Sequence, residues 1–478
     1  MPRLHRACGE VRFEPLYCAC RLLILLLLTG CTSSHYQPKD LNAERSAADF
    51  SARSISDTGL REYMFAHGHP ETEWPVKQWG LKELSLLALY FHPDLDLARA
   101  RAAAARAALE SEGKRAPIGA SARVEQHADS AAGQNSPWSL GFEVEIPLFA
   151  GSHRAALVER QTYLAQRAQL NVGAVAWQVR SRLRDALFDL YSAGGILELA
   201  EQEAAESEVL EGLLQRRLRE GVISGGELTA ARLRSAQANA EVESQRLAAE
   251  VALTNLSRAL GLPLATVRSL ALNLTKFVTP TPAPEMATLR REALLNRMDI
   301  RMELLNYAVA ESAVKLEVIG QNPQWKWSPG YLWDRGSSVW SLALGWVLPD
   351  GAGHAARIRE AEANREVAAR EFQRLQVQVI ADAESAAAIY VRARDGLNAV
   401  QKRSALASKR LAENRRLFDA GYADRVDLVH SRLEALGAQK QLLTAQRLAL
   451  GALGKAEDAA QIPLYAGPIP RFEKGGAK

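Results

Sequence analysis

Residues 324–349 read QWKWSPGYLWDRGSSVWSLALGWVLP and contain two strand-like segments. In the second segment, apolar residues occupy every second position: Trp340, Leu342, Leu344, Trp346 and Leu348. The first segment repeats the pattern with Trp325, Trp327, Tyr331 and Trp333. Successive side chains of a strand point to opposite faces of the sheet, so both segments are predicted to have one apolar face.

An earlier stretch has the same alternation. Apolar side chains again share one face, namely Trp138, Leu140, Phe142, Val144 and Ile146, whereas 139, 141, 143 and 145 are Ser, Gly, Glu and Glu. Its partner, around 119–130, alternates more weakly. Six of the nine tryptophans lie in these segments, which favours strands that face lipid. The predicted membrane-facing residues are Trp138, Phe142, Trp325, Trp327, Trp333, Trp340 and Trp346. The alternative is a soluble β-sandwich with this face as its core.

The chain repeats itself at a shift of about 200 residues. Gly221, Leu228, Arg232, Leu233, Pro263 and Leu264 recur as Gly421, Leu428, Arg432, Leu433, Pro463 and Leu464. The shift is 202 at the strands, where Trp138-Ser139-Leu140 matches Trp340-Ser341-Leu342, and 205 at the unit starts. A drifting shift indicates small insertions within one duplicated fold.

Each unit carries a long stretch without proline, from 148 to 262 and from 350 to 462. Proline breaks helices, so these stretches permit very long ones. Apolar residues at spacings of three and four, such as Val172, Val175 and Val179, predict packed helices. Gly221 and Gly421 are the expected reversals, because glycine adopts the left-handed conformation that ends a helix. The first arm of each hairpin would be roughly 100 Å long.

These features divide the chain into two repeats and their flanking segments. The first repeat is predicted at 80–265, with a helix at 81–113, strands at about 119–147 and a hairpin at about 152–262. The second is predicted at 285–465, with strands at about 323–349 and a hairpin at about 354–462. The flanking segments are a signal peptide at 1–30, a lipidated extended segment at 31–79, a linker at 266–284 and a tail at 466–478. The expected fold is mainly α with a small membrane β part. Four strands cannot close a barrel, and open sheet edges are not tolerated in lipid. Several chains are therefore expected to contribute strands to one shared barrel.

All four cysteines lie within the first 31 residues, which excludes a disulfide framework in the body of the chain. Basic residues precede a short apolar run at 22–28, too short to span a bilayer but suited to a signal peptide. The run ends in Leu28-Thr29-Gly30-Cys31, which resembles a bacterial lipobox. Cys31 is the predicted lipidation site; an ordinary signal peptide is the alternative.

The order of helix, strand pair and long hairpin, duplicated, resembles the TolC family of outer-membrane factors across most of residues 80–465. The motifs that carry it are Phe91-His92-Pro93-Asp94-Leu95, Ile146-Pro147-Leu148-Phe149-Ala150-Gly151, Leu348-Pro349-Asp350-Gly351-Ala352-Gly353, and Gly421 with Val426-Asp427-Leu428. The resemblance implies a homotrimer in the outer membrane, with a shared twelve-stranded β-barrel above a periplasmic α-helical tunnel. It also implies two partners, a membrane-fusion adaptor and an inner-membrane transporter of the resistance–nodulation–division type.

The resemblance also assigns roles to two groups of residues. Gly221-Val222 and Gly421-Tyr422 would be tips on which the adaptor docks. Asp427, three residues before His430 and therefore on the same helix face, would project into the periplasmic entrance. An acidic residue is frequent at the position of His430, so His430 departs from the family pattern. The alternative for Asp427 and His430 is a solvated helix face.

Other function classes lack support in the sequence. A net charge of +4 without basic clusters gives no nucleic-acid signature. His67-Gly68-His69 has ligand-like spacing, but a solvated loop is the favoured interpretation and no metal or cofactor is predicted. Catalytic motifs are absent from the sequence, so we expect no enzyme. Two alternatives to efflux remain: an exit channel for a secreted polypeptide, or a structural periplasmic lipoprotein that transports nothing.

Overall fold

The computed structural model describes residues 36–114, 118–128, 136–148, 151–273 and 285–464. The chain forms two compact units, Met1–Ala52 and Arg53–Lys478. The first unit contains helix α1 (Ala43–Ser51), whose N-cap Asn42 accepts a hydrogen bond from the Arg45 N–H at 3.0 Å. The other described helices and strands lie in the second unit.

The second unit repeats one order of elements: short helices, a strand pair and a long helical hairpin. Its first half contains α2 (Thr58–Ala66), α3 (Leu81–Phe91), α4 (Pro93–Gly113), β1 (Gly119–Gln126), β2 (Trp138–Leu148), α5 (Gly151–Arg219), α6 (Gly225–Leu260) and α7 (Leu264–Arg268). Its second half contains α8 (Met286–Asn296), α9 (Met298–Ile319), β3 (Gln324–Asp334), β4 (Ser337–Val347), α10 (Gly351–Asp419) and α11 (Arg425–Ala460).

The predicted class, mainly helical with a small antiparallel sheet, is confirmed. Helices α5 and α10 have 69 residues each, and α6 and α11 have 36 each. At a rise of about 1.5 Å per residue, the longer arms extend on the order of 100 Å. Helix α10 begins and ends 200 residues after α5, and α11 begins and ends 200 residues after α6. The shift of 202 at the strands therefore does not extend into the hairpins.

Three sequence expectations need correction. The segment 31–79, expected to be extended, contains α1 and α2, because Asn42 and Asp57 cap their first turns. The single helix expected over 81–113 is divided into α3 and α4, since His92 before Pro93 is extended and caps α4 with its ring. The linker expected from 266 overlaps α7 and includes Leu272, which forms a parallel bridge with Trp79.

The four long helices lie side by side in the order α6, α5, α11, α10. The largest apolar core lies where α3 meets α5 and α11, and it includes Leu84, Leu87, Leu183, Leu187 and Leu453. Small residues dominate the contacts of the second hairpin, where Ala383, Ala387, Ala456 and Ala460 pack together. Small side chains allow helix axes to approach closely, so long helices can pack without large apolar residues.

A buried charged cluster joins the two repeats where α5 crosses the end of α11. Glu457, with no exposed surface, accepts hydrogen bonds from Arg180 at 3.0 Å and from Arg184 at 2.7 Å. Arg184 also donates to Asp458 at 2.7 Å. These contacts compensate the desolvation of each charge, so the two repeats are held in one relative register.

Neighbouring groups complete the cluster. Asp458 also accepts hydrogen bonds from the Trp177 indole at 3.0 Å and the Ser181 hydroxyl at 2.5 Å. A Cβ on Gly454 would lie only 2.7 Å from Nε of Arg184, so this position must lack a side chain for the guanidinium to fit. Burial lowers the pKa of Arg184, but its hydrogen bond and charge contacts with Asp458 outweigh burial and hold it above the ordinary value.

We predict that Glu457→Gln destabilises the chain strongly, because Arg180 would keep its buried positive charge without its carboxylate partner and Arg184 would lose one of its carboxylate partners. The free energy of unfolding should fall by about 3–5 kcal/mol. Denaturant unfolding in detergent measures this. Glu243→Gln is the matched control, since Glu243 forms an exposed ion pair with Arg246 and should cost about 1 kcal/mol or less. Equal losses in the two variants would contradict a structural role for the cluster.

Candidate functional site

The four strands form one antiparallel sheet in the order β1-β2-β3-β4. The central pair, β2 and β3, connects the two repeats and places Leu140 opposite Trp333 and Phe142 opposite Tyr331. In turn, β3 places Tyr331 opposite Trp340. Residues directly opposite each other share a face of the sheet. The apolar alternation of the single strands therefore combines into one apolar face that crosses all four.

This face is exposed in the single chain. Six of the seven residues predicted to face the membrane have side chains that are between 41% and 81% exposed: Trp138, Phe142, Trp325, Trp327, Trp340 and Trp346. The seventh, Trp333, is half-buried. The described part of the chain therefore provides no layer that turns this face into a core. A continuous apolar surface of this kind indicates contact with lipid or another macromolecule.

The opposite face of the sheet is mostly polar, with Leu332, Val339 and Val347 as exceptions. Lys326 pairs with Glu145 at 2.5 Å across β2 and β3. At the far end, the Ser139 hydroxyl donates to Asp334 at 2.5 Å and lies 3.1 Å from Nε2 of His127. The sheet thus has apolar and polar sides, as a strand between lipid and an aqueous lumen requires.

Strands β1 and β4 are the edges of the sheet, each paired on one side only within the described residues. The free side of an edge strand presents a row of N–H and C=O groups. Unpaired groups of this kind are expensive in lipid, because no water is present to replace the missing partner.

The two hairpin reversals have the same geometry. Gly221 has φ of 74° and Gly421 has φ of 80°. At the second reversal, the Gly421 N–H bonds the Phe418 carbonyl and the Tyr422 N–H bonds the Leu417 carbonyl, and the first reversal has the equivalent bonds. These two bonds define a Schellman motif. Val222 and Tyr422, which follow the glycines, are 66% and 84% exposed and lie free at the tips.

Asp427 and His430 lie in the first turns of α11, immediately after the second tip, and both are exposed. Their neighbours Val426 and Val429 are buried against Leu210 of α5. The two polar residues therefore lie on the helix surface directed away from that contact. Beside them, Arg217 of the first hairpin forms an ion pair with Asp424, the N-cap of α11, so the two tips are linked.

The other sequence predictions lie elsewhere. Cys31, the signal peptide and the tail from 466 fall outside the described residues. His69 is buried and His67 contacts the Tyr63 carbonyl at 2.7 Å. No group of three or more His, Cys, Asp or Glu capable of holding a metal ion occurs in the described ranges. None of the helices described there is long and apolar enough to cross a membrane.

The sequence reasoning missed the buried cluster of Arg180, Arg184, Glu457 and Asp458. A signal was present: Trp177, Arg180 and Arg184 follow each other at helical spacing beside the apolar stripe that contains Val179 and Leu183. Charged residues next to an apolar stripe normally lie at its solvated margin, and their burial depends on partners more than 270 positions away.

Comparison with protein-family models finds no match, and comparison with curated proteins finds none. Solved structures do match. The outer membrane protein VceC of Vibrio cholerae is 18% identical with a TM-score of 0.65, covering 80% of this chain and 95% of that one. The CmeC outer membrane channel of Campylobacter jejuni is 14% identical with a TM-score of 0.65, covering 96% and 94%.

The MtrE outer membrane channel of Neisseria gonorrhoeae is 17% identical with a TM-score of 0.62, covering 80% of this chain and 89% of that one. These identities are low, so the likeness concerns the fold. The match extends over most of both chains. The fold implied by the sequence motifs is therefore confirmed: the chain has the fold of the TolC-type outer-membrane channels.

Proposed function

We propose that this chain is the outer-membrane exit channel of a tripartite efflux system and transports its substrate passively. One observation carries the proposal: a small sheet with one exposed apolar face and two open edges stands at one end of helical hairpins about 100 Å long. The sheet suits the lipid bilayer, and the hairpins suit a duct that crosses an aqueous compartment. The proposed substrates are small molecules or metal ions.

The channel would be a homotrimer. One chain supplies four strands, whereas the smallest useful barrels have about eight. Three copies supply twelve strands, and each β4 edge can then pair with the β1 edge of the next copy. In this arrangement the polar face, with Glu145 and Lys326, lines the lumen and the tryptophans face lipid.

The partners would bind at the far end. A periplasmic membrane-fusion adaptor would dock on the tips around Gly221-Val222 and Gly421-Tyr422, and an inner-membrane transporter would supply the energy. Cys31 would carry a lipid anchor in the outer membrane. The exposed tip residues Val222 and Tyr422 support this assignment, because apolar and aromatic side chains without partners are typical of interfaces.

Channel formation is tested by conductance in planar bilayers. We expect the purified protein to form ion channels that select cations at neutral pH, because three Asp427 carboxylates near the entrance would attract cations and repel anions. Asp427→Asn should reduce this selectivity. Glu362→Gln, which removes an exposed carboxylate near the start of α10, is the control and should change it little.

Two outcomes would count against these assignments separately. A protein that forms no channels would contradict the proposed function. A channel whose ion selectivity is the same with Asn at position 427 would show that Asp427 is only a solvated surface carboxylate.

We further predict that Gly421→Val impairs efflux in cells while the protein remains in the outer membrane. A Cβ at this position has no atom within 4 Å, so the cost comes from the φ of 80° alone. Holding a β-branched residue there costs about 1–3 kcal/mol and should distort the tip. Drug susceptibility of a strain that depends on this channel, with immunoblots of outer membranes, measures both effects.

Two variants sharpen this experiment. Gly421→Asn should retain efflux, because asparagine tolerates the left-handed conformation. Gly437→Ala replaces a glycine of the same helix hairpin that also has open space around it, and it should have no effect. Full efflux with Gly421→Val would argue against a role of the tip.

A further inference from the structure

Most charged side chains on the polar face of the sheet are neutralised by a neighbour. Three ion pairs lie on this face or beside it: Lys326–Glu145 at 2.5 Å, Arg123–Glu125 at 3.6 Å and Arg335–Asp334 at 3.8 Å. Each pair combines one positive and one negative charge. A passing ion therefore meets little net charge beside them.

Glu143 is the remaining charged residue on the polar face of the four strands. It lies near the middle of β2, directly opposite Ser121 of β1 and Gly330 of β3. Its side chain is exposed, and the described residues place no basic group within ion-pair distance of it. The nearest basic residue in the register, Arg123, lies diagonally across and pairs with Glu125. Each chain therefore presents one uncompensated carboxylate on this face.

Two apolar side chains lie on the same face, one row nearer the β3–β4 turn. Leu332 and Val339 are directly opposite each other on β3 and β4, and Leu332 is also opposite Gly141 of β2. Val339 is 45% exposed and Leu332 is half-buried. Glu143 and Leu332 are diagonal neighbours in this register, and such neighbours lie about 7–8 Å apart.

Two glycines keep the carboxylate and the apolar pair accessible together. Gly141 and Gly330 occupy the other diagonal of the square that Glu143 and Leu332 form. A Cβ on Gly141 would lie 3.4 Å from Cδ1 of Leu332, and a Cβ on Gly330 would lie 2.6 Å from Oγ of Ser341. Side chains at these two positions would separate Glu143 from Leu332. Without them, one small ligand can contact both.

We propose that Glu143, Leu332 and Val339 form a binding site in the channel lumen for organic cations that carry apolar groups. The carboxylate attracts the positive charge, and the aliphatic pair contacts the apolar groups. Hydrated metal ions gain nothing from the aliphatic pair, and anions are repelled by the carboxylate. The proposal rests on the channel of the proposed function, whose lumen the polar face lines, and narrows its substrates to this class.

Block of the ionic current tests the site. Tetrabutylammonium and tetramethylammonium carry the same charge but differ in apolar surface. With the purified channel in planar bilayers in 0.1 M KCl, we expect tetrabutylammonium to reduce the current at lower concentrations than tetramethylammonium. Block by both cations should weaken in 1 M KCl, because the screening length falls from about 10 Å to about 3 Å.

Substitutions separate the two parts of the site. Glu143→Gln should weaken block by both cations about fivefold, since a contact between unit charges in water is worth about 1 kcal/mol. Leu332→Thr and Val339→Thr should each weaken block by tetrabutylammonium about fourfold, the effect of losing contact with about one methylene group. Block by tetramethylammonium should not change in these two variants.

The matched control removes an ion pair from the same face. Glu145→Gln combined with Lys326→Gln deletes one negative and one positive charge, so the net charge of the face stays the same. Block by both cations should be unchanged in this double variant.

The outcomes separate this proposal from the proposed function. Channels that the two cations block equally, or whose block changes as much in the control as in Glu143→Gln, would overturn the site and leave the channel intact. A protein that forms no channels would overturn the channel and the site together.

Discussion

Backbone hydrogen bonding at the edges of the sheet is the constraint on which the rest of the structure depends. Within the part of the chain that the structure describes, strands β1 and β4 are each paired on one side only, and the sheet presents a continuous face of tryptophan and aliphatic side chains. In lipid, the apolar side chains would be well solvated, but the N–H and C=O groups at the sheet edges would lack hydrogen-bond partners. In water, the edges could bond to solvent, but the apolar side chains would be exposed. The homotrimer that we propose would resolve both demands, because the edge of one chain could pair with the edge of the next.

The hairpins of the two repeats are held together by contacts within the chain. Within the chain, the buried carboxylate of Glu457 and its arginine partners set the position of one repeat against the other. Buried ion pairs add little net stability, but they penalise every register that separates the charges.

The sequence predicted the features that depend on local patterns. Alternation at 138–146 and 340–348 gave the strands and their apolar face, and Gly221 and Gly421 gave the reversals, because these signals come from backbone geometry. The break at His92 was missed although Pro93 was visible, since apolar periodicity continues across it. The charged cluster and the need for Gly454 could not be predicted, because they arise only when α11 lies against α5. The roles of Asp427 and His430 stay predictions.

The central claim is that the apolar face of the sheet contacts lipid, and tryptophan fluorescence tests it directly. Six of the nine tryptophans lie in the strands, whereas Trp79 and Trp177 are buried among the helices. In vesicles of phospholipids brominated along the acyl chains, bromine quenches only the tryptophans that touch the hydrocarbon. The account predicts that most of the fluorescence is quenched relative to unbrominated vesicles, and that replacing Trp340 and Trp346 by phenylalanine reduces the quenched part. Fluorescence that is the same in both kinds of vesicle would contradict a lipid-facing sheet.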